Sequence, residues 1–326
     1  MKPTVFIARR IPAVAHHLLE EHCELRVHEG LMPPTREELL AGVRGCSGIL
    51  SLLSDRIDGE VCEAAGPQLK VISNFAVGYN NMDVPELTRR GIALGNTPDV
   101  LTDATADIAV ALLLCAARNF RRASQDVRNN EWKTWQPLGW IGKDLVGFGE
   151  PKKLGIVGMG RIGSAVAKRM HLGWGMQVLY TAHSPKPEVD KELSATHVEL
   201  PKLLEQSDFV SLHVPLNDET HHLIGAPELT LMKETAVLVN TARGEIIDQD
   251  ALTEALLSRS IYAAGLDVCT PEPLPADDRL LQLDNCFLVP HLGSATQATR
   301  DAMAERAAKN ILAGLQDQPL PYRISL

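Results

Sequence analysis

Short apolar runs recur through the first third of the chain, each too short for a helix and long enough for a buried strand. They fall at residues 4–8, 24–27, 48–53, 69–74 and 92–94. Helical spacing fills the gaps. Residues 12–22 begin with a proline, which suits a first turn. Thr35-Arg36-Glu37-Glu38 is a capping-box sequence that opens a helix to about Arg44. Short helices are predicted over 59–65 and 84–90, the second stopped by Gly91. Strands alternating with helices predict a parallel sheet covered on both faces. Residues 1–99 therefore read as one α/β domain.

The pattern changes at Thr102 or Asp103, where a helix begins that runs to about Arg118 and is apolar nearly all round between Ile108 and Ala117. Such a helix is deeply buried or lies at a subunit interface. Residues 119–150 hold Trp132, Trp135 and Trp140, three of the four tryptophans, among polar residues and glycines. Such a segment suits an arm that packs on a partner, or an intramolecular loop. Alternation then resumes. Strands are predicted at 154–157, 177–180, 209–213, 236–240, 263–267 and 287–289. Helices are predicted at 164–170, 200–206, 249–257 and 295–315, the third capped by Asp248. The fold class is thus α/β, with two doubly wound parallel-sheet (Rossmann-like) domains.

The stretch from Lys153 to Thr181 organises the second domain. After its first strand come Gly158, Gly160 and Gly163, spaced G-x-G-x-x-G, then a helix and a strand. That order is the context a dinucleotide-binding turn requires. Gly158 makes the tight turn, Gly160 admits a pyrophosphate, and Gly163 lets helix and strand pack closely. The helix N-terminus presents free N–H groups to the phosphates. After the second strand an NAD site places an acid for the ribose hydroxyls. Here Ala182 stands there, and the first carboxylate is Glu188. His183, Ser184 and Lys186 can instead donate to a 2′-phosphate. NADP(H) is therefore the expected cofactor, with NAD(H) as the alternative.

Composition narrows the function. The chain has 326 residues, 45% of them hydrophobic, and a net charge of −9. That length suggests two domains, and that charge argues against nucleic acid or anionic membranes as partners. No apolar run is long enough to span a membrane, and the N-terminus does not read as a secretory signal. The six cysteines form no C-x-x-C and no metal-ligand cluster. Reduced thiols in a cytoplasmic protein are the expectation, with no metal.

Three polar residues follow strand ends in the second half: Arg243 in VLVNTARGE, Glu272 in DVCTPEPLP and His291 in LVPHLGSAT. They share the sheet edge where a nicotinamide is expected. The Arg can fork onto a carboxylate and a carbonyl oxygen. The His can supply a proton to that oxygen, and the Glu can hold the imidazole and its charged form. The set suits reduction of a 2-keto acid. In the first domain, Phe75 to Asn81 follows a strand end, and its Gly78 allows backbone N–H groups to meet a carboxylate; an ordinary turn is the alternative.

These motifs, G-M-G-R-I-G at 158–163, V-N-T-A-R-G at 239–244, G-L-D-V at 265–268 with P-E-P-L-P at 271–275, and P-H-L-G-S-A-T at 290–296, resemble the D-isomer-specific 2-hydroxyacid dehydrogenases. Over LLSD at 52–55, LKVIS at 69–73, TPDVLTD at 97–103 and MKETAV at 232–237, the chain is similar to the branch that reduces glyoxylate and hydroxypyruvate. The resemblance spans essentially the whole chain. It implies a discontinuous substrate domain, 1–99 with 295–326, a dinucleotide domain, 100–294, and a cleft between them. It implies that His291 is the acid/base, Glu272 its partner and Arg243 the substrate clamp. The backbone of Val77 and Gly78 would take the substrate carboxylate, and Leu53 would line the pocket. Asp267, Thr105 and Thr241 would orient the nicotinamide. Further cofactor contacts are implied for Arg161, Ile162, His213, Val214, Pro215, Thr220, Ala242 and Gly293. A homodimer through the long helix and the arm is implied, with Trp140 a candidate to close the partner's pocket. Two departures stand out: residues 146–153 form a longer link than the family's, and Trp140 is slightly displaced. The competing readings are a reductase of larger 2-keto acids and a non-enzymatic NAD(P)-sensing, corepressor-like protein.

Overall fold

A computed structural model describes residues 2–324 and divides into two compact units. One comprises Met1–Leu101 with Ala295–Leu326, the other Thr102–Ser294.

The first unit is a five-stranded parallel sheet. Its strands are β1 (Thr4–Ile7), β2 (Glu24–Val27), β3 (Gly48–Ser51), β4 (Val71–Asn74) and β5 (Ala93–Gly95), in the order β2-β1-β3-β4-β5. β3 and β4 are buried along their whole length, as befits strands covered on both faces. The capping box is present: Glu38 N–H donates to Thr35 Oγ1 and Thr35 N–H to Glu38 Oε2. Asp58 and Asp83 cap the next two helices by accepting from the N–H groups of Val61 and Glu86. The C-terminal helix, Gln297–Leu315, lies against β3 and β4, where glycines permit close approach. A Cβ on Gly314 would stand 2.5 Å from Val71 Cβ.

The second unit is a seven-stranded parallel sheet. Its strands are β6 (Lys153–Val157), β7 (Gln177–Thr181), β8 (Thr196–His197), β9 (Phe209–Leu212), β10 (Val237–Asn240), β11 (Ala263–Leu266) and β12 (Cys286–Leu288). Their order is β12-β11-β10-β9-β6-β7-β8. The strand order reverses at β6, and such a switch point opens a ligand crevice at the carboxyl ends of its two flanking strands. The long apolar helix, Thr102–Ala117, is buried on this unit's own sheet. Leu112 packs where Gly265 of β11 leaves room.

Three helices and one edge strand go beyond the sequence reading. The arm helix Phe120–Arg128 buries no residue fully; its Phe120, Ala123 and Val127 fall at helical spacing among polar residues, a signal available in the sequence. Pro187–Leu193 and Ala226–Leu231 are short, with proline in the first turn, a signal available in the sequence. β8 has two residues. The fingerprint helix runs Arg161–Trp174, starting three residues before the predicted Ser164, because Gly163 sits inside its first turn.

Candidate active site and dinucleotide turn

Each glycine of the fingerprint has a distinct environment. Gly158 has φ 98°, and a Cβ there would stand 2.6 Å from the His213 carbonyl oxygen. A Cβ on Gly163 would overlap the Gly158 carbonyl oxygen. These two are fixed by the chain's own packing. Gly160 differs: a Cβ there would meet nothing within 4 Å. Gly160 is also the N-cap of the fingerprint helix, with no side-chain capping bond and no acidic residue in the first turn. The turn therefore keeps open space and uncapped N–H groups where a pyrophosphate would lie. Arg161 and Ile162 form the start of this helix.

Beyond β7, His183, Ser184 and Lys186 are exposed in a bend. The bend is held from beneath. Lys186 N–H donates to Tyr180 Oη at 2.6 Å, and His197 Nε2 lies 3.0 Å from the Ala182 carbonyl oxygen. After β9, the His213–Pro215 stretch is closed by Thr220, whose hydroxyl donates to the Pro215 carbonyl at 2.5 Å. His213 Nε2 lies 2.8 Å from Ser211 Oγ, and burial pushes its imidazole down to about 3. After β10, the Thr241 hydroxyl is buried without a hydrogen-bond partner, which suits the polar edge of a ligand. A dinucleotide fits this donor set.

Arg243 follows β10 just before a 3-10 turn, Gly244–Ile246. Its backbone is fixed by Asn240 Nδ2, which donates to the Arg243 carbonyl at 2.7 Å. Burial pulls the guanidinium pKa down, while Glu272 and Glu245 push it back up. It remains a cation, since arginine holds its proton throughout the working range. Glu272 Oε1 lies 2.9 Å from His291 Nδ1. With Nδ1 committed to the carboxylate, Nε2 is the nitrogen left to face a ligand.

His291 adopts φ 53°, a left-handed conformation uncommon outside glycine, in which histidine, asparagine and aspartate are the enriched exceptions. Asp267 explains it. Its side chain accepts from Leu292 N–H and, at 2.8 Å, from Gly293 N–H, while His291 N–H donates to its carbonyl at 3.0 Å. Thr105 Oγ1 donates to the Gly293 carbonyl at 3.0 Å. Asp267 and Thr105, expected beside a nicotinamide, thus also clamp the histidine loop, a role that sequence reasoning missed. Burial raises the Asp267 pKa, with the two backbone donors and His291 opposing.

In the other unit Leu53 is exposed, and Val77 and Gly78 are half-buried in the loop after β4. Trp140 is half-buried in the arm, with its indole N–H donating to Asp126 Oδ2 at 2.6 Å. The longer link holds Val146 and Phe148 exposed, with Gly149 at φ 99°.

Comparison with known proteins accounts for this geometry. Residues 110–293 match the model of the D-isomer specific 2-hydroxyacid dehydrogenase NAD binding domain. A glyoxylate reductase of Korarchaeum cryptofilum is 50% identical over 314 residues, 96% of this chain and 93% of that protein. The TT0316 protein of Thermus thermophilus superposes with a TM-score of 0.91 at 43% identity, covering 99% of this chain and 100% of that one. An NADPH-dependent glyoxylate/hydroxypyruvate reductase of Sinorhizobium meliloti, solved with NADP and malonate, gives a TM-score of 0.83 at 29% identity, covering 100% of this chain and 97% of that one. With the fingerprint, the Arg243–Glu272–His291 set and these matches together, the chain belongs to the D-isomer specific 2-hydroxyacid dehydrogenases and is an enzyme that uses a nicotinamide cofactor.

Proposed function

We propose that this enzyme reduces glyoxylate to glycolate and hydroxypyruvate to D-glycerate, with NADPH preferred over NADH. The observation that carries the chemistry is the 2.9 Å contact between Glu272 and His291, with the half-buried Arg243 in their electrostatic field. Arg243 forks onto the carboxylate and carbonyl oxygen of the 2-oxo acid, drawing electrons from C2. His291 delivers a proton to that oxygen from Nε2. Glu272 accepts from Nδ1, fixes the tautomer and stabilises the imidazolium before the proton leaves. When bound, the reduced nicotinamide supplies the hydride that C2 receives. Asp267 and Thr105 keep His291 at its place throughout. Val77 and Gly78 offer backbone N–H groups to a carboxylate, and Leu53 supplies an apolar wall. Small size in the substrate follows from the reductase relatives. No observation favours the sensor reading.

The cofactor preference rests on the bend after β7. No acid stands there, and His183, Ser184 and Lys186 are exposed for a 2′-phosphate. Gly158, Gly160, Gly163, Arg161 and Ile162 would hold the pyrophosphate. The protein is proposed to act in the cytoplasm. All six cysteines are free thiols, and no helix among the described residues is long and apolar enough to cross a membrane.

Steady-state oxidation of NADPH and NADH with glyoxylate, hydroxypyruvate and pyruvate tests the reading. We expect NADPH with the two small oxo acids to give the highest kcat/KM. Preference for NADH would remove the 2′-phosphate site, and inactivity with all three would remove the substrate assignment. His291→Ala is expected to lower kcat by roughly 10²–10⁴-fold with the Kd for NADPH unchanged. Lost cofactor binding in that variant would mean the histidine's role is misassigned.

A further inference from the structure

The loop after β4 has three consecutive carbonyls, each with its own partner. Ala76 O accepts from Thr97 N–H at 3.0 Å, Val77 O from Asn96 Nδ2 at 2.8 Å, and Gly78 O from Asn74 Nδ2 at 3.0 Å. In a trans peptide the carbonyl and the following N–H point in opposite directions. Pinning these oxygens therefore sets the directions of the Val77, Gly78 and Tyr79 N–H groups. Among the described residues none of the three donates a hydrogen bond. The loop thus holds its acceptors satisfied and its donors free, the arrangement that anion-binding backbone loops share.

The two asparagines act from fixed places. Asn74 closes β4 and is fully buried. Its Oδ1 accepts from Ser51 Oγ at 3.0 Å, and its Nδ2 also donates to Asn81 Oδ1 at 3.1 Å. Asn81 Nδ2 in turn donates to the carbonyls of Leu52 at 3.0 Å and Asp55 at 2.9 Å. The same network therefore ties down the loop that carries Leu53. Asn96 follows β5 and is 8% exposed. Its N–H donates to the Tyr322 carbonyl at 3.1 Å, and its carbonyl accepts from Asn310 Nδ2 at 3.0 Å. Each amide is locked at its root, so each can hold a peptide plane in one orientation. A main-chain carbonyl on a half-buried loop needs only water for satisfaction; a buried side-chain amide adds direction. Donors set in advance need no rearrangement when the anion arrives.

We propose that Asn74 and Asn96 are positioning residues for substrate: they hold the Gly78 and Val77 carbonyls so that the backbone donors of this loop stand ready for the carboxylate of a 2-oxo acid. The inference rests on the reading that the Val77–Gly78 loop takes that carboxylate. Neither asparagine touches the reacting atoms, and both act through the peptide planes between them and the ligand.

The probe is oxalate, bound to the full-length protein with saturating NADPH. In the wild type, oxalate should shift the amide resonances of Val77, Gly78 and Tyr79; unmoved resonances would overturn the carboxylate reading itself. Asn74→Ala and Asn96→Ala should each weaken oxalate about tenfold and raise KM for glyoxylate in proportion, while kcat at saturation and the Kd for NADPH stay near wild type. A purely structural role would lower the melting temperature without this split. If an alanine variant fails to fold, Asn74→Asp and Asn96→Asp keep the volume, lose the donor and should show the same KM change. Wild-type resonances that move, together with folded variants that bind oxalate at wild-type strength, would overturn the clamp and leave the carboxylate reading standing.

Discussion

At the scale of single residues, the least expected behaviour is that of His213. It follows β9 with Nε2 against Ser211 Oγ, and burial pushes its pKa down to about 3. An unfolded histidine titrates near about 6.5. Between those values the unfolded chain binds a proton that the folded chain refuses. Stability from this group is therefore fully present above about pH 6.5 and falls as the pH drops towards 3, by at most about 1.4 kcal/mol per pH unit. His213→Asn should lose that dependence. Urea midpoints of wild type and variant, measured at intervals from neutral pH down to about 4.5, should converge as the pH falls. A gap that stays constant would show that the imidazole titrates normally. The backbone of the same residue meets the dinucleotide turn, where a Cβ on Gly158 would stand 2.6 Å from the His213 carbonyl oxygen.

At the scale of elements, that turn separates two glycines which look alike in the sequence. A methyl on Gly163 would overlap the Gly158 carbonyl oxygen, whereas one on Gly160 would meet nothing within 4 Å. Gly163→Ala should thus destabilise the fold by about 1–3 kcal/mol, the usual cost of overpacking. Gly160→Ala should melt as the wild type does and weaken NADPH about tenfold, near 1.4 kcal/mol. Equal losses of stability in the two variants would contradict this division, and calorimetry with a cofactor titration decides it. The fingerprint was legible because strand, turn and helix are local and each announces itself by apolar run, glycine spacing and period. Arg243, Glu272 and His291 were legible for a related reason: each follows a strand, and parallel strands bring their carboxyl ends to one edge. The clamp of Asp267 on Leu292 and Gly293 and the amides of Asn74 and Asn96 on their loop were not. They depend on which carbonyl or N–H a buried side chain meets after folding, and neither spacing nor composition records that. The arm helix went unread for a different reason: Phe120, Ala123 and Val127 keep helical spacing, but three apolar positions among polar ones, none fully buried, are a short signal.

At the scale of the whole molecule, the arm is the feature a single chain leaves unexplained. Phe120, Trp135, Leu138, Ile141 and Phe148 are all largely exposed, Leu138 at 84% and Phe148 at 96%. Scattered surface apolar residues need no account, but a run of them within one segment marks an interaction surface. These side chains are aromatic and aliphatic, types that suit the core of an interface, although charged residues are interspersed among them. Net charge cannot supply the attraction, because two copies at −9 each repel. Burial of apolar area must exceed that repulsion, so association should strengthen, not weaken, as salt screens the charge. We propose a second copy of the chain as the occupant, in line with the homodimer that the family resemblance implies. Light scattering should give a mass twice the 35.5 kDa of one chain, retained in high salt. Trp135→Ser combined with Leu138→Asp should shift that mass towards one chain without lowering the melting temperature of the monomer, since neither side chain is buried in the fold. A wild-type mass of one chain at micromolar concentration would sink the proposal. A dimer untouched by the double substitution would place the interface elsewhere and leave the exposed arm without its partner.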